Sequence, residues 1–370
     1  MALELLDPLA HGSRVAETWT RLAARSYFTS WGWIENWLAC LPRGVAPRLA
    51  VWDDGATACF LTRRLDVRRR VIASRAYYLN VSGVPRLDEL LVEYNGVVGR
   101  EPSLAELVDG LPGGWDEIML PGLRADAFGG VHEGDRGRYR VLVERRVPCY
   151  QVPLAKVRAH DYPSLLSSQT RSQLRRAQRL ARVKDVEVAA TVPEALAIYA
   201  ELVELHGASW RAKGQPGAFA DPWFDRFHRR LIAERFAAGE IQLVRVRGAD
   251  RTIGCLYNFV HAGRVLQYQT GFAMYDDNAQ KPGYVAHAAA IAHSAASGLD
   301  VYDFLAGEMR YKKSLSTDAD ALVWVRVQRP RLRFAIEDRA LAFVRSRRGK
   351  PAADPPPDPA AAQGSPAGAP

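Results

Sequence analysis

Lysine is scarce in this chain of 370 residues: of 50 basic side chains, 43 are Arg and 7 are Lys, against 41 Asp and Glu. The net charge of +9 is therefore an arginine excess. Coding rich in G and C produces that bias without any polyanionic partner, so charge alone does not identify a nucleic-acid binder. The excess is uneven, however. Residues 351–370 hold no Lys or Arg and two acids, Asp354 and Asp358, which leaves +11 on the chain up to Lys350. An anionic ligand stays open.

Cysteine is equally sparse. Cys40, Cys59, Cys149 and Cys255 stand far apart with no C-x-x-C and no nearby His, which excludes a tetrahedral metal set and predicts no metal site. Cys59 and Cys255 lie in apolar strand-like runs, where an inert buried thiol is expected. Long apolar runs are missing too: nothing approaches the ~18 residues needed to span a bilayer. The first residues lack a basic n-region and carry Glu4 and Asp7, a poor secretory signal, so a cytoplasmic protein without membrane insertion is expected. G-x-x-x-x-G-K-[ST], G-x-G-x-x-G and G-x-S-x-G are all absent, which removes the usual support for P-loop, dinucleotide and serine-hydrolase chemistry.

What is present is a layout used twice. Ser30 precedes Trp31, Trp33, Ile34, Trp37 and Leu38, the pattern of a capped amphipathic helix. Strand signals follow at Arg48–Trp52, 56–65 and 71–79 around a turn at Asp53-Asp54-Gly55. Residues 192–210 and 222–238 repeat the helices, and 240–246, 252–260 and 264–270 repeat the meander. An Ala-rich helix up to Ser297, a strand at Val301 and a strand at 321–328 complete an α/β arrangement with a mixed sheet. Residues 331–345 read as a helix with Leu332, Ile336 and Phe343 on its apolar face. The division expected is an N-terminal domain over 1–150, a second over 151–346, and a disordered proline-rich tail over 347–370.

Four segments carry candidate chemistry. Gln280-Lys281-Pro282-Gly283-Tyr284 opens a helix, where free N–H groups and the dipole favour a pyrophosphate and Lys281 adds charge; an ordinary proline at the first helical position reads the same way. In Tyr302-Asp303-Phe304-Leu305-Ala306-Gly307-Glu308-Met309-Arg310-Tyr311-Lys312, acid, phenol and amine crowd one strand end, suiting acid/base work or a loop of local ion pairs. Residues 171–184, with Arg175 in their middle, hold six basic residues and no acid: a face for RNA, for a nucleotide phosphate, or for solvent with Asp185 and Glu187 nearby. His206, Trp210, Arg211 and Lys213 close a helix, with His206 expected as a capping imidazole more than a base. His287 and His293 lie six apart and are expected to bind no metal.

These residues together resemble a family. His206 through Trp210, Lys213 and Gly214, then Asp221, Phe224 and Phe227, the Pro282-Gly283 helix start, and above all Asp303-Phe304…Gly307…Tyr311-Lys312 are similar to the CelD-like (cellulose-biosynthesis-type) branch of the GNAT acetyltransferases, related to the Fem-type aminoacyltransferases. With Phe28, Ser30, Trp31, Trp33 and Trp37 the resemblance spans roughly residues 20 to 345. It implies tandem GNAT-like folds, the second bearing the active site and the first non-catalytic. It also implies direct transfer of an acyl group to an amine from acetyl-CoA or another acyl-CoA, or a carrier thioester.

In such enzymes the donor's pyrophosphate sits on the helix beginning at Gln280, with Gly283, Tyr284, Lys312 and Arg175 as further donor-binding candidates. The acyl oxygen meets backbone N–H groups near Tyr268 to Gly271. Asp303 or Glu308 is the expected base and Tyr268 or Tyr311 the proton donor. Val285 stands where the GNAT phosphate loop has a small residue. Fem-type enzymes use aminoacyl-tRNA, which keeps a tRNA partner open, and a catalytically silent polyanion or RNA binder is the reading from another class. The acceptor expected is a small or carrier-bound amine; the oligomeric state is not legible.

Overall fold

Ser30 opens the first aromatic helix, Trp31–Cys40, by accepting the Trp33 N–H at 3.3 Å, and Trp33, Ile34 and Trp37 turn inward. The computed structural model describes residues 3–69, 71–90 and 92–347, and statements of absence refer to these. Of the expected disordered tail, Arg347 is the last residue of a helix and the remainder lies outside them. The chain divides into two units: residues up to Arg146 together with those from Leu322 on, and Val147–Ala321.

In the first unit, strands Leu3–Leu6, Arg48–Trp52, Thr57–Arg68 and Ile72–Leu79 run antiparallel. Ile72–Leu79 then pairs in parallel with Glu117–Arg124, which pairs antiparallel with Asp318–Gln328 from Leu322 on. Inward alternation places Ala50, Cys59, Leu61, Leu79, Ile118 and Leu120 in one core with Trp52 and Trp115. The helix Leu332–Arg347 differs from its expected orientation. Leu332, Ile336 and Phe343 are 76%, 56% and 55% exposed, while Phe334 and Glu337 are buried. Polar contacts set that rotation: Glu337 takes Arg68 at 2.9 Å and Arg69 at 3.2 Å, and buried Asp116 takes Arg331 and Arg333 at 3.0 and 2.6 Å.

In the second unit, Asp185–Val188, Ile241–Arg247, Thr252–His261 and Arg264–Phe272 form the antiparallel run. Helix Pro282–Ala296 crosses over to Val301–Ala306, parallel to Arg264–Phe272, and Val301–Ala306 pairs antiparallel with the end of Arg140–Pro153. Alternation divides the faces. Leu256 and Val265 pack under Val285, Ala286 and Ile291, whereas Tyr257 and Tyr268 point to the other side, against Tyr199 and His228 of helices Val192–Ala212 and Pro222–Arg235.

Both units are thus mixed α/β, with two helices, a meander and a parallel strand in the same order. The expected division at residue 150 falls inside strand Arg140–Pro153. Residues 322–346, assigned from sequence to the second half, group with the first unit because Leu322–Gln328 pair there with Glu117–Arg124.

Candidate functional site

Helix Pro282–Ala296 begins without a side-chain cap. Ser30, Ser103, Ser167, Thr191 and Asp221 each supply that cap to a helix elsewhere. Here Lys281 takes the cap position in left-handed backbone, φ 38°, and its carbonyl accepts the Tyr284 N–H at 3.0 Å. Pro282 brings no N–H. The first turn of this 15-residue helix is therefore closed by no side chain, and its Tyr284 and Val285 N–H groups both turn back to the Lys281 carbonyl.

Beside it the sheet opens. Arg264–Phe272 and Val301–Ala306 pair only at Arg264↔Val301, Val265↔Tyr302 and Leu266↔Asp303. Beyond that point the strands part, so the backbone from Gln267 onward has no strand neighbour on that side. Two irregularities enforce the parting. Tyr268 is the extra residue of a bulge against Tyr257 and Asn258, and Leu305 adopts φ 60°. The Asp303 carboxylate holds that turn, accepting the Leu305 N–H at 2.8 Å and pairing with Arg264 at 2.8 Å.

A cavity of about 700 Å³ lies at the start of helix Pro282–Ala296 and the end of strand Arg264–Phe272. Its wall is formed by the helix start from Lys281 to Tyr284, by Phe272 to Tyr275 with Asp277 and Asn278 at and after the strand end, by Met309 to Tyr311, and by Gln173, Ser209 and Lys213 on or just after two helices. Lys213, Lys281 and Arg310 face one acid, Asp277, whose Oδ1 accepts the Ala279 N–H. Lys281 also covers the Tyr284 ring, with Nζ 5.3 Å from the centroid. Val285 turns into the core at 1% exposure, so its size does not narrow the cavity.

Gly283, Lys281, Tyr284 and Tyr311 are thus brought together. Gln280 lies just outside, half-buried, its N–H donated to the Asp277 carbonyl. Tyr311 stacks on His287 with centroids 5.3 Å apart at 13°, and its hydroxyl reaches Gln267 Oε1 at 3.5 Å. Burial pushes the Tyr311 phenol up, so it keeps its proton near neutrality. Glu308 is exposed in the loop after the strand, with no hydrogen bond or ion pair.

Four expectations are corrected. Asp303 is fully buried with both oxygens engaged, so it supports the turn and is not a free base. Lys312 is also fully buried and donates to the Ala306 carbonyl at 2.7 Å and to that of Leu305 at 3.5 Å, which commits its ammonium to the strand end, away from any phosphate. Tyr268 sits among His228, Tyr257 and Phe259 on the opposite face, out of reach of the cavity. Arg175 is exposed, pairs with Asp161 at 3.3 Å and does not line the cavity.

The basic helix is otherwise only partly neutralised. Arg171 donates to the Ser164 and Leu166 carbonyls, but Arg176 and Arg179 are exposed without an ion pair, and Glu187 is taken by Arg245 and Arg247. His206 lies mid-helix, not at a helix end. Residues that sequence reasoning did not assign to the donor site are Lys213 and Arg310; spacing of seven from His206 was the available signal for Lys213. Among the described residues no group of His, Cys, Asp or Glu is placed to hold a metal ion, and no helix is long and apolar enough to cross a membrane.

No curated protein matches the chain. The fold has solved counterparts. FemX superposes with a TM-score of 0.50 at 11% identity, covering 93% of this chain and 99% of that one. A conserved protein of unknown function from Bacteroides thetaiotaomicron gives 0.50 at 12% identity, covering 87% and 97%. The C-terminal domain of a protein described as a lysylphosphatidylglycerol synthetase from Agrobacterium fabrum gives 0.49 at 11%, covering 90% and 96%. Residues 168–313, which contain the whole cavity wall, match the family model of an acetyltransferase (GNAT) domain, and the fold is GNAT-like.

Proposed function

We propose that the chain is an N-acyltransferase that moves an acyl group from an acyl-CoA or carrier thioester to an amine by direct attack. The observation that carries this reading is the uncapped start of helix Pro282–Ala296, opening with Lys281, Lys213 and Arg310 on a cavity beside parted strands. The positive end of a helix, ringed by cations, suits a pyrophosphate. The thioester would then lie along the unpaired edge from Gln267, where backbone donors stabilise negative charge on the carbonyl oxygen.

Tyr311, protonated and on the cavity wall, is the donor to the departing thiolate. Glu308, exposed beyond the strand, is the carboxylate left to pass protons to solvent. The matching order of elements supports a tandem of GNAT-like folds, with the first unit non-catalytic: the helix before its parallel strand, Leu104–Gly110, is short and already closed by Ser103 and Glu106. The CelD-like resemblance belongs to this proposal as well.

Acetyl-CoA and longer acyl-CoA thioesters are expected to raise the melting temperature of the chain, and added amines to release free thiol. A chain whose melting is indifferent to all of them overturns the CoA reading. One observation favours a second reading, aminoacyl-tRNA as donor: the exposed, unpaired Arg176 and Arg179 on the helix whose Gln173 reaches the cavity. Activity that vanishes on RNase treatment is its signature. A silent polyanion binder would retain binding after Tyr311→Phe and lose it on adding salt.

A further inference from the structure

The arginine excess is concentrated. Residues 63–75 hold six Arg and one acid, and residues 331–350 hold six Arg, one Lys and two acids. The two stretches carry +5 each, or +10 together, against +9 for the whole chain, so everything else sums to −1. They are more than 250 residues apart in sequence, yet they meet in the first unit. Arg68 pairs with Glu337 at 2.9 Å and Arg69 with Glu337 at 3.2 Å, and the Arg68 guanidinium lies 5.4 Å from the centroid of the Phe334 ring.

Exposed apolar side chains gather in the same place. Of the eleven large ones exposed among the described residues, Leu65, Val67, Val71, Leu332, Ile336 and Phe343 belong to these two stretches. Helix Leu332–Arg347 is apolar on two opposite sides. Phe334 and Glu337 are buried, while Leu332, Ile336 and Phe343 fall within about 40° of one another on the outer side, at ~100° per residue. Arg339 projects from that outer stripe, exposed and without an ion pair among the described residues. The acids of the helix are already engaged, Glu337 by Arg68 and Arg69, and Asp338 by Arg140 at 2.6 Å. Next to them a single carboxylate, Asp116, is shared by Arg75, Arg331 and Arg333, so ion pairing leaves guanidinium in excess. On the hairpin, Leu65 and Val67 share one side of strand Thr57–Arg68, and Val71 is 80% exposed in the turn that follows.

We propose that this face of the first unit docks on the surface of an anionic lipid bilayer. Such a surface offers acidic headgroups above an apolar layer, which matches arginines interleaved with Leu332, Ile336 and Val71: the guanidiniums meet phosphates and the apolar side chains pass between them. Charge decides against the other occupants. A nucleic acid supplies phosphates but no apolar layer for the outer stripe. A second copy laid helix against helix brings two arginine-rich faces together with no free acid between them. No helix among the described residues is long and apolar enough to span a bilayer, so the contact is peripheral and governed by lipid charge and salt. It is independent of the acyl-transfer reading, which concerns the second unit.

The test is flotation of the full chain with vesicles of phosphatidylcholine alone or of phosphatidylcholine and phosphatidylglycerol at about three to one. The chain is expected to float with the anionic vesicles, to stay behind with the neutral ones, and to be released as salt is added. Leu332→Ser combined with Ile336→Ser is expected to lower partition into the anionic vesicles about tenfold or more. Arg339→Glu, a single exposed change, is expected to lower it about fivefold and serves if the double variant melts early. Unchanged melting temperatures without vesicles separate lost docking from lost folding. Absence of flotation, equal flotation with neutral and anionic vesicles, or wild-type partition in both variants overturns the proposal. So does a dimer in solution that the serine variant dissociates, which gives the face to a second copy.

Discussion

Arg264, at the first paired position of the two parallel strands, reaches Asp303, at the last, at 2.8 Å, the guanidinium one-third exposed and the carboxylate not exposed at all. The pair marks the point where the sheet opens, and the acid's second oxygen ties down Leu305 in its left-handed turn.

Removing the cation leaves a buried, uncompensated carboxylate. Arg264→Met is expected to destabilise the second unit by about 3–5 kcal/mol, read by denaturant unfolding. An unchanged midpoint would mean that the pair does not hold the strand end.

Lys281 and Arg310 reach the cavity from opposite elements and have no ion-pair partner. Lys281→Ala and Arg310→Ala are each expected to raise the Kd for acyl-CoA about fivefold to tenfold, roughly 1 kcal/mol each, with little change in melting temperature. Calorimetric titration checks this, and wild-type affinity in both variants would move the donor phosphates elsewhere.

Lys312 and Tyr311 are neighbours with separable roles. Lys312→Ala frees the Ala306 carbonyl of its charged donor and is expected to cost about 2–3 kcal/mol of stability. Tyr311→Phe keeps the ring stacked on His287 and is expected to lower kcat about tenfold to a hundredfold with stability nearly unchanged. Unfolding curves and steady-state rates on the two variants distinguish them; a stable, inactive Lys312→Ala would contradict the assignment.

Acid should weaken the second unit through its histidines. Burial holds His206 at about 4 and His228 and His287 at about 3, against about 6.5 in an unfolded chain. Folded values lie below unfolded ones, so the unfolded chain binds more protons between them, and stability present above pH ~6.5 is lost as pH falls toward 4. Each such histidine amounts to about 3 kcal/mol over that window. Asp88 in the first unit acts in the opposite sense: burial raises it to about 6 despite its hydrogen bonds from Ser82, so it gains a proton on folding below that pH. A lower melting temperature at pH 4.5 than at pH 7 is expected, with a smaller difference in His228→Phe. No difference in either protein would contradict the buried neutral state.

The elements themselves were legible because they depend on local periodicity. The meander Ile241–Arg247, Thr252–His261, Arg264–Phe272 and the helix from Pro282 lie where alternation, turn residues and proline place them. The helix start at Lys281 to Tyr284 was legible as a donor site for the same reason. Leu332, Ile336 and Phe343 were read as an inward face, yet ion pairs from Arg68, Arg69 and Asp116, far away in sequence, rotated them outward.

The charged cluster after Val301 shows the same division most sharply. Composition and spacing determined that Asp303, Glu308, Arg310, Tyr311 and Lys312 gather at one strand end. Which of them face the cavity was decided by contacts that spacing does not encode: Arg264, thirty-nine residues away, takes Asp303 inward, and the loose carbonyls of Leu305 and Ala306 take Lys312. Arg310 and Tyr311 are left on the cavity wall, and His206 joins the strand edge through Thr270, sixty-four residues distant. A local pattern fixes the class of residue and its helix or strand; the identity of its partner, and hence whether a charge is structural or available for chemistry, depends on long-range pairing in the folded sheet.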